Sequence, residues 1–195
     1  METKEVTRGE LIVAGIGGTG ALTIGETVAS AATRKYEHVT WFPSYETFQR
    51  GGLVECTVVF SNDEIASPIL DKSQTVLILE SSQVEPFLKR VRPGGLMLVE
   101  ASNMGEKNKI ESKDFTIEYV PVIKLARDMG NIRNSNLIMM GVYLELTGIL
   151  PFDLVISELE RKFASKGGKK AEQALSENKS ALDKGITVAR EMRKV

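Results

Sequence analysis

An α/β fold is predicted by three observations. A short apolar run, Leu11–Ala14, leads into Gly15-Ile16-Gly17-Gly18-Thr19-Gly20 and then into a helix-like segment, the order of a strand, a tight turn and a helix. Two further runs, Thr75–Leu79 and Leu96–Val99, are continuously apolar, the pattern of strands buried on both faces of a parallel sheet. From Pro121 onward the punctuation and periodicity become helical. Strands alternating with helices, then helices alone, give a Rossmann-like three-layer domain with a mostly parallel sheet and a helical C-terminal part.

Each element has its own warrant. Glu10–Ala14 reads as a buried strand, and Gly18 to about Lys35 as a helix whose small residues Ala21, Gly25, Ala29 and Ala32 allow close approach to a sheet. His38–Phe42 is a second strand, with Trp41 expected in the core. Pro43 then starts a loop that carries Tyr45 and Phe48 at its surface. Leu53–Phe60 alternates, and its Thr and Val content suits a pleated surface. Ser61-Asn62-Asp63-Glu64 is a turn. Thr75–Leu79 is a central strand, Ser82–Val91 a short helix, Pro93-Gly94-Gly95 a turn and Leu96–Val99 another buried strand. The polar stretch from Glu100 to Lys113 is a loop, and Phe115–Val120 a strand nearer an edge. Helices follow at Ile123–Met129, Asn136–Leu146, Phe152–Phe163 and Lys170–Arg193, separated by Gly130, Gly148–Pro151 and Gly167-Gly168.

With 195 residues, 42% of them apolar and 26% charged, the chain has the size and balance of one domain spanning residues 1–195. The net charge of −1 argues against a general nucleic-acid binder. It hides an asymmetry: residues 161–195 hold ten Lys/Arg against four Asp/Glu, which reads as a solvated helix or as a docking surface for an acidic partner. Cys56 is the only cysteine and His38 the only histidine. One cysteine excludes an internal disulfide, an iron–sulfur cluster and a cysteine-based zinc site. No signal peptide and no membrane-length apolar run is visible, so a cytoplasmic location is expected.

The candidate ligand-binding residues are Gly15, Gly17, Gly18, Thr19 and Gly20, together with Arg50, Gly51 and Gly52. In the first group Gly15 and Gly17 are expected to take unusual dihedrals and Gly20 to permit close helix–strand packing. Backbone N–H groups at the helix start would face an anion. The alternative is that these glycines only let the helix cross the sheet closely. An NAD site of the common type needs an acid at the end of the second strand; here Trp41-Phe42-Pro43-Ser44 stands there, so NAD is not expected. In the second group the glycines let the chain turn while Arg50 projects toward an anion or a neighbouring subunit; the alternative is a simple lead-in to the next strand. Trp41, Phe42, Tyr45 and Phe48 place four of the twelve aromatic residues in eight positions, and the loop members read as an interface. Asn134 and Asn136 read as helix caps, and Cys56, Met139 and Met140 as core. No catalytic residue and no metal ligand is assigned.

These stretches resemble the gamma subunit of 2-oxoacid:ferredoxin oxidoreductases. The resemblance rests on Gly15–Gly20, on Pro43-Ser44-Tyr45 leading into Arg50-Gly51-Gly52, on Val58-Val59-Phe60-Ser61 and on Glu64-Ile65-Ala66-Ser67-Pro68. It continues through Pro93-Gly94-Gly95, Asn136 with Gly141, and Asn178 to Gly185. Thr19 stands where the family usually has Gln, and Glu46-Thr47-Phe48-Gln49 departs from the usual approach to the arginine. The Pro-Ser-Tyr and Ile-x-Ser-Pro segments are most similar to the 2-oxoglutarate branch; pyruvate and branched-chain members stay open. The resemblance implies a complex that oxidatively decarboxylates a 2-oxoacid, forms its acyl-CoA and reduces ferredoxin. It implies that thiamine diphosphate and iron–sulfur clusters sit on alpha, beta and delta type partners, that this chain binds none of them alone, and that it assists coenzyme A access. An isolated chain would be inactive and could pair as a homodimer. The competing expectations are a free-standing coenzyme A or nucleotide binding protein and a purely structural subunit.

Overall fold

The computed structural model describes residues 7–45, 52–164 and 168–194. Six strands form one sheet: β1 (Arg8–Ile16), β2 (His38–Tyr45), β3 (Leu53–Ser61), β4 (Ser73–Ile78), β5 (Val91–Glu100) and β6 (Thr116–Val120). Their order across the sheet is β2-β3-β1-β4-β5-β6. β1–β4, β4–β5 and β5–β6 pair in parallel, whereas β3 is antiparallel to both β1 and β2. Only β3 therefore runs against the rest. The crossover from β1 leaves one strand's width before β2, and the chain doubles back to fill it.

The period of two in a strand splits each apolar run between two cores. Leu11 and Val13 of β1 join the larger cluster and Ile12 and Ala14 the smaller. Leu77 and Leu98 face the first, while Val76, Ile78, Met97 and Val99 face the second. Continuous apolar sequence is the consequence of both faces being covered.

The helices are α1 (Ala21–Ala32), α2 (Val84–Phe87), α3 (Val122–Asp128), α4 (Ser135–Thr147), α5 (Phe152–Ala164) and α6 (Lys169–Met192). All but α2 cover the larger core. The opposite face carries a thinner layer of α2 and irregular segments packed through Leu70, Val84 and Phe87. α1 buries Ala21, Ile24, Val28 and Ala31, spaced for one helical face. Its tightest approach is at Gly25, where a Cβ would lie 2.3 Å from Cys56 Sγ and 3.0 Å from Trp41 Nε1. α4 is buried from Asn136 to Leu144 because the sheet side and α6 cover opposite flanks. It ends at Gly148, whose φ of +59° lets its N–H return to the Leu144 carbonyl at 2.9 Å. α6 crosses α4 where Gly141 meets Gly185.

Several expectations need correction. Trp41 is 39% exposed, not core, because β2 is an edge strand; Phe42 is 41% exposed. β2 continues through Pro43 to Tyr45, so Tyr45 ends the strand rather than beginning a loop. β5 begins at Val91 and runs through Pro93-Gly94-Gly95, with the pairing shifting between Ser73–Val91 and Thr75–Leu96. That irregularity absorbs the expected turn. The expected helix at 82–91 is broken into Ser81–Gln83, α2 and Leu88–Arg90, the outer two being 3-10 turns. Much of the basic C-terminal charge is used internally. Lys162 pairs with Glu26 and Lys179 with Glu160, while Arg190 and Arg193 both reach Glu145.

Candidate functional site at the carboxyl end of the sheet

The turn between β1 and α1 is closed by Thr19. Its backbone N–H donates to the Ile16 carbonyl at 3.1 Å and its hydroxyl to the same oxygen at 2.8 Å. Positive φ falls on Gly18 (+97°) and Gly20 (+86°), not on Gly15 and Gly17 as expected. Those two need glycine for their backbone conformation. Gly15 is required by space instead: a Cβ there would lie 2.5 Å from Thr19 Oγ1 and 3.3 Å from Leu79 Cβ. Gly20 admits a side chain from another helix rather than close helix–strand packing, since its Cβ would lie 2.4 Å from Asn136 Nδ2. The close helix–sheet approach belongs to Gly25.

Gly17 makes the connection that matters most here. Its N–H donates to the Gly52 carbonyl at 3.2 Å, joining the first glycine element to the end of the second. Gly17 and Gly52 therefore sit together at the carboxyl end of β1, where ligands bind in open α/β sheets. Arg50 and Gly51, with Glu46–Gln49, lie outside the described residues.

Beside the turn is a cleft of about 510 Å³. Gly18, Thr19, Gly20 and Thr23 form one wall, and Leu79 and Glu100, beyond β4 and at the end of β5, form the floor. Val122, Ile123, Ile132, Arg133, Ser135 and Asn136 close the far side. The start of α1 opens on it, bringing unpaired N–H groups and the positive end of a helix, whereas α4 runs on from the 3-10 turn Ile132–Asn134, its Ser135 N–H already donating to the Ile132 carbonyl. In α1 the first return bond is Ile24 N–H to the Gly20 carbonyl. Arg133 is exposed, and its guanidinium makes no ion pair among the described residues.

Glu100 is 5% exposed. Its Oε1 accepts from Ser102 N–H at 2.9 Å, from the Ser102 hydroxyl and from Ile123 N–H at 3.3 Å. Asn136 is 9% exposed and caps nothing. Asn134 occupies the cap position of α4 without a side-chain bond. The side chain that does cap is Asn131, accepting from Arg133 N–H at 3.2 Å before the 3-10 turn Ile132–Asn134. Glu100 and Arg133 carry no sequence expectation. An acid directly after the apolar run Leu96–Val99 was the available signal for Glu100, because strand ends are where α/β sites form.

A larger hollow of about 620 Å³ is lined by Gly94, residues 109–117 and Tyr119 and touches neither glycine element. Cys56 is buried, and burial pushes its thiol up to about 11, the environment of an inert core thiol. Among the described residues no three His, Cys, Asp or Glu side chains gather to hold a metal ion, and no helix is long and apolar enough to cross a membrane.

Residues 10–188 match the family model described as pyruvate ferredoxin/flavodoxin oxidoreductase. Among curated proteins, the chain is 31% identical to ketoisovalerate oxidoreductase subunit VorA of Methanothermobacter thermautotrophicus, over 92% of this chain and 36% of that one. It is 25% identical to 2-oxoglutarate synthase subunit KorC of Methanocaldococcus jannaschii, over 95% of this chain and 96% of that one. The chain thus spans about a third of the VorA relative and nearly all of KorC. Among solved structures, 2-oxoglutarate:ferredoxin oxidoreductase from Magnetococcus marinus with 2-oxoglutarate, coenzyme A and succinyl-CoA bound shares the fold. Its TM-score is 0.83 at 23% identity, covering 96% of this chain and 32% of that chain.

Proposed function

The chain belongs to the pyruvate ferredoxin/flavodoxin oxidoreductase family, and from that premise we propose that it is the gamma-type subunit of a 2-oxoacid:ferredoxin oxidoreductase. The assembly decarboxylates a 2-oxoacid, passes the acyl group to coenzyme A and the electrons to ferredoxin. The observation that carries the reading is the Gly17–Gly52 bond, which brings the last residue of the second glycine element to the first at the carboxyl end of β1. A diphosphate fits such a turn: Gly18 has open space around its α-carbon, and N–H groups at the start of α1 are oriented for an anion. In this proposal Gly15, Gly17, Gly18, Thr19 and Gly20 with Arg50, Gly51 and Gly52 meet the diphosphate of coenzyme A or the surface of the thiamine-bearing subunit. Coenzyme A supplies the thiol that takes the acyl group. This chain's residues bind and orient; none of them carries a proton or electron in the reaction.

Thiamine diphosphate and the clusters belong, in this proposal, to alpha, beta and delta type partners. The buried, raised thiol of Cys56 does not fit cluster ligation. 2-Oxoglutarate is the favoured substrate, supported by the Pro43-Ser44-Tyr45 and Ile65-Ala66-Ser67-Pro68 segments and by the end-to-end likeness to KorC. The VorA likeness supports a branched-chain 2-oxoacid instead. Residues 1–195 act as one domain in a cytoplasmic complex, inactive alone, and exposed Trp41 and Phe42 on an edge strand favour self-pairing of the isolated chain.

Anaerobic affinity purification of the tagged chain tests assembly. Larger subunits with thiamine and cysteine-cluster motifs are expected to co-purify, and recovery of the chain alone would refute the subunit reading. Arg50→Ala in the complex should raise the KM for coenzyme A or loosen assembly; if both stay unchanged, Arg50 is not in the site. A cleft built within one chain favours a second reading, a free-standing coenzyme A or nucleotide binder, which predicts tight binding by the monomer.

A further inference from the structure

We infer that two copies of this chain join edge to edge through β2, antiparallel about a two-fold axis at Thr40, so that their six-stranded sheets run on as one. The inference gives the self-pairing proposed above a surface and a register. It rests on that self-pairing and not on the oxidoreductase reading. Three observations carry it.

The first is which backbone groups β2 turns outward. Gly17 N–H donates to the Gly52 carbonyl and Asn62 N–H to the Thr7 carbonyl. In the β1–β3 register both bonds fall on even-numbered residues of the β3 side, and bonded pairs alternate with unbonded ones along an antiparallel ladder. Odd-numbered residues of β3 therefore bond to β2. Carried through the β2–β3 register, Val59 bonds to Thr40 and Thr57 to Phe42. Val39, Trp41 and Pro43 then direct their backbone groups away from β3, and among the described residues no strand takes them up. Pro43 has no N–H to give. Its outward place spares the β3 ladder and leaves Val39 and Trp41 as the open, fully competent part of the edge.

The second is that one register uses this edge completely. With Thr40 opposite Thr40 of the second copy, Val39 faces the second copy's Trp41 and Trp41 its Val39. Each N–H of that pair meets a carbonyl, and Pro43 stays outside. Centring on Trp41 instead turns the Val39 carbonyl toward the proline ring, and centring on Val39 sets Trp41 against Glu37, which precedes the strand. Side chains alternate across the sheet. Trp41 lies on the α1 side, where Gly25 meets it, and there it covers Val39 of the second copy; on the other face Phe42 covers the second copy's His38. Both rings are about two-fifths exposed in the single chain. No carboxylate or ammonium falls within residues 38–42, and the two Glu37 side chains stand about 20 Å apart along the strands, so identical copies do not repel.

The third is Thr40 itself. Its hydroxyl is sealed and has no partner among the described residues, a state that buried polar groups seldom keep without a reason. At the two-fold axis the threonines form an unbonded pair with α-carbons about 4.5 Å apart. One turn about χ1 lets the hydroxyls bond across the strands. Area sets the strength. Two-fifths of four aromatic side chains is about 240–400 Å², well under the roughly 1,200 Å² of a stable interface. The dimer is therefore weak and reversible, dissociating between about 10 μM and 1 mM.

Sedimentation velocity of the full chain from about 1 μM to 1 mM reads the association, and a reversible passage from monomer to dimer is expected. Register is read by oxidising Thr40→Cys, Val39→Cys and Trp41→Cys variants at the high end of that range; native Cys56 is buried. Thr40→Cys should link into a dimer at least about ten-fold faster than the other two, because only its paired α-carbons fall within disulfide reach. Val39→Pro removes an outward donor and no bond to β3, and should weaken the dimer at least about ten-fold. Phe42→Lys, on the opposite face, should weaken it too. A chain that stays monomeric throughout overturns both the inference and the self-pairing. A dimer that links through position 39 or 41, or that ignores both edge variants, overturns the inference and leaves self-pairing by another route. None of these outcomes depends on whether larger subunits co-purify, so the oxidoreductase reading fails or stands separately.

Discussion

Replacing Gly141 by alanine should drive α4 and α6 apart. A Cβ at 141 would lie 2.2 Å from the Leu182 carbonyl oxygen and 3.1 Å from the α-carbon of Gly185; the reciprocal Cβ at 185 would lie 2.1 Å from the Ile138 oxygen. Every one of these neighbours is backbone, so no rotamer change relieves the overlap. Restoring an ordinary 3.4 Å at Gly141 needs about 1.2 Å of separation. A gap of that order forfeits a quarter to a half or more of the attraction at each facing contact, and Ala181, Leu182 and Ala189 are packed in this seam. Overpacking costs about 1–3 kcal/mol, toward the upper end when backbone must move. Alanine returns about 1 kcal/mol through helix propensity. The net is a loss of about 2 kcal/mol, or about 4–8 °C in Tm for a chain of this size. Urea unfolding of the full chain reads it directly, with Ser180→Ala on the exposed face of α6 as a control that should be near neutral. The Gly141→Ala/Gly185→Ala double variant should lose less than the sum of the singles, since one separation accommodates both methyls. A Gly141→Ala protein more stable than the parent would refute the reasoning, because propensity alone would then decide.

Three further outcomes follow from buried polar groups. The Tyr143 hydroxyl is sealed in the core without a partner, so Tyr143→Phe should gain about 1 kcal/mol in urea unfolding; a loss would mean that the hydroxyl is satisfied in solution. Cys56, its thiol pushed up to about 11 by burial, should resist iodoacetamide at pH 8 in the native chain and react on denaturation. Its folded thiol holds the proton longer than the unfolded one, so its contribution to stability is full below the ordinary thiol range and is lost as pH rises toward 11. Cys56→Ala should flatten that part of the profile. Arg161 holds the Glu158 carboxyl below the usual carboxylate range through a bond of 2.7 Å. That contribution is full above the unfolded carboxylate value and falls away as pH drops through the folded one. Arg161→Ala should therefore shrink the acid-side loss of stability in pH-dependent unfolding.

The strands buried on both faces were legible from their uninterrupted apolar centres, Leu11–Ala14 and Val76–Ile78: β1 and β4 fall within about three residues of their sequence-derived limits. Edge position was not. Trp41 and Phe42 have the composition of a core strand, and only the strand order reveals that, among the described residues, β2 stands at the end of the sheet. The glycine turn was legible as a turn, but which glycine takes positive φ depends on how Thr19 folds back onto Ile16. Asn136 shows the same limit. Asparagine at a helix start reads as a cap, yet the chain enters α4 through a 3-10 turn already capped by Asn131, which frees Asn136 to meet Gly20. Glu100 gains meaning only when β5 is known to end beside the glycine turn.

The burial of α4 has a consequence for synthesis. This helix is apolar around its circumference, and half of its cover is α6, which leaves the ribosome after it. During that interval the nascent chain presents an uncovered hydrophobic cylinder, the kind of surface that invites aggregation or a chaperone. The Gly141–Gly185 crossing can close only once α6 has been made, and any delay in translating α6 lengthens the exposure.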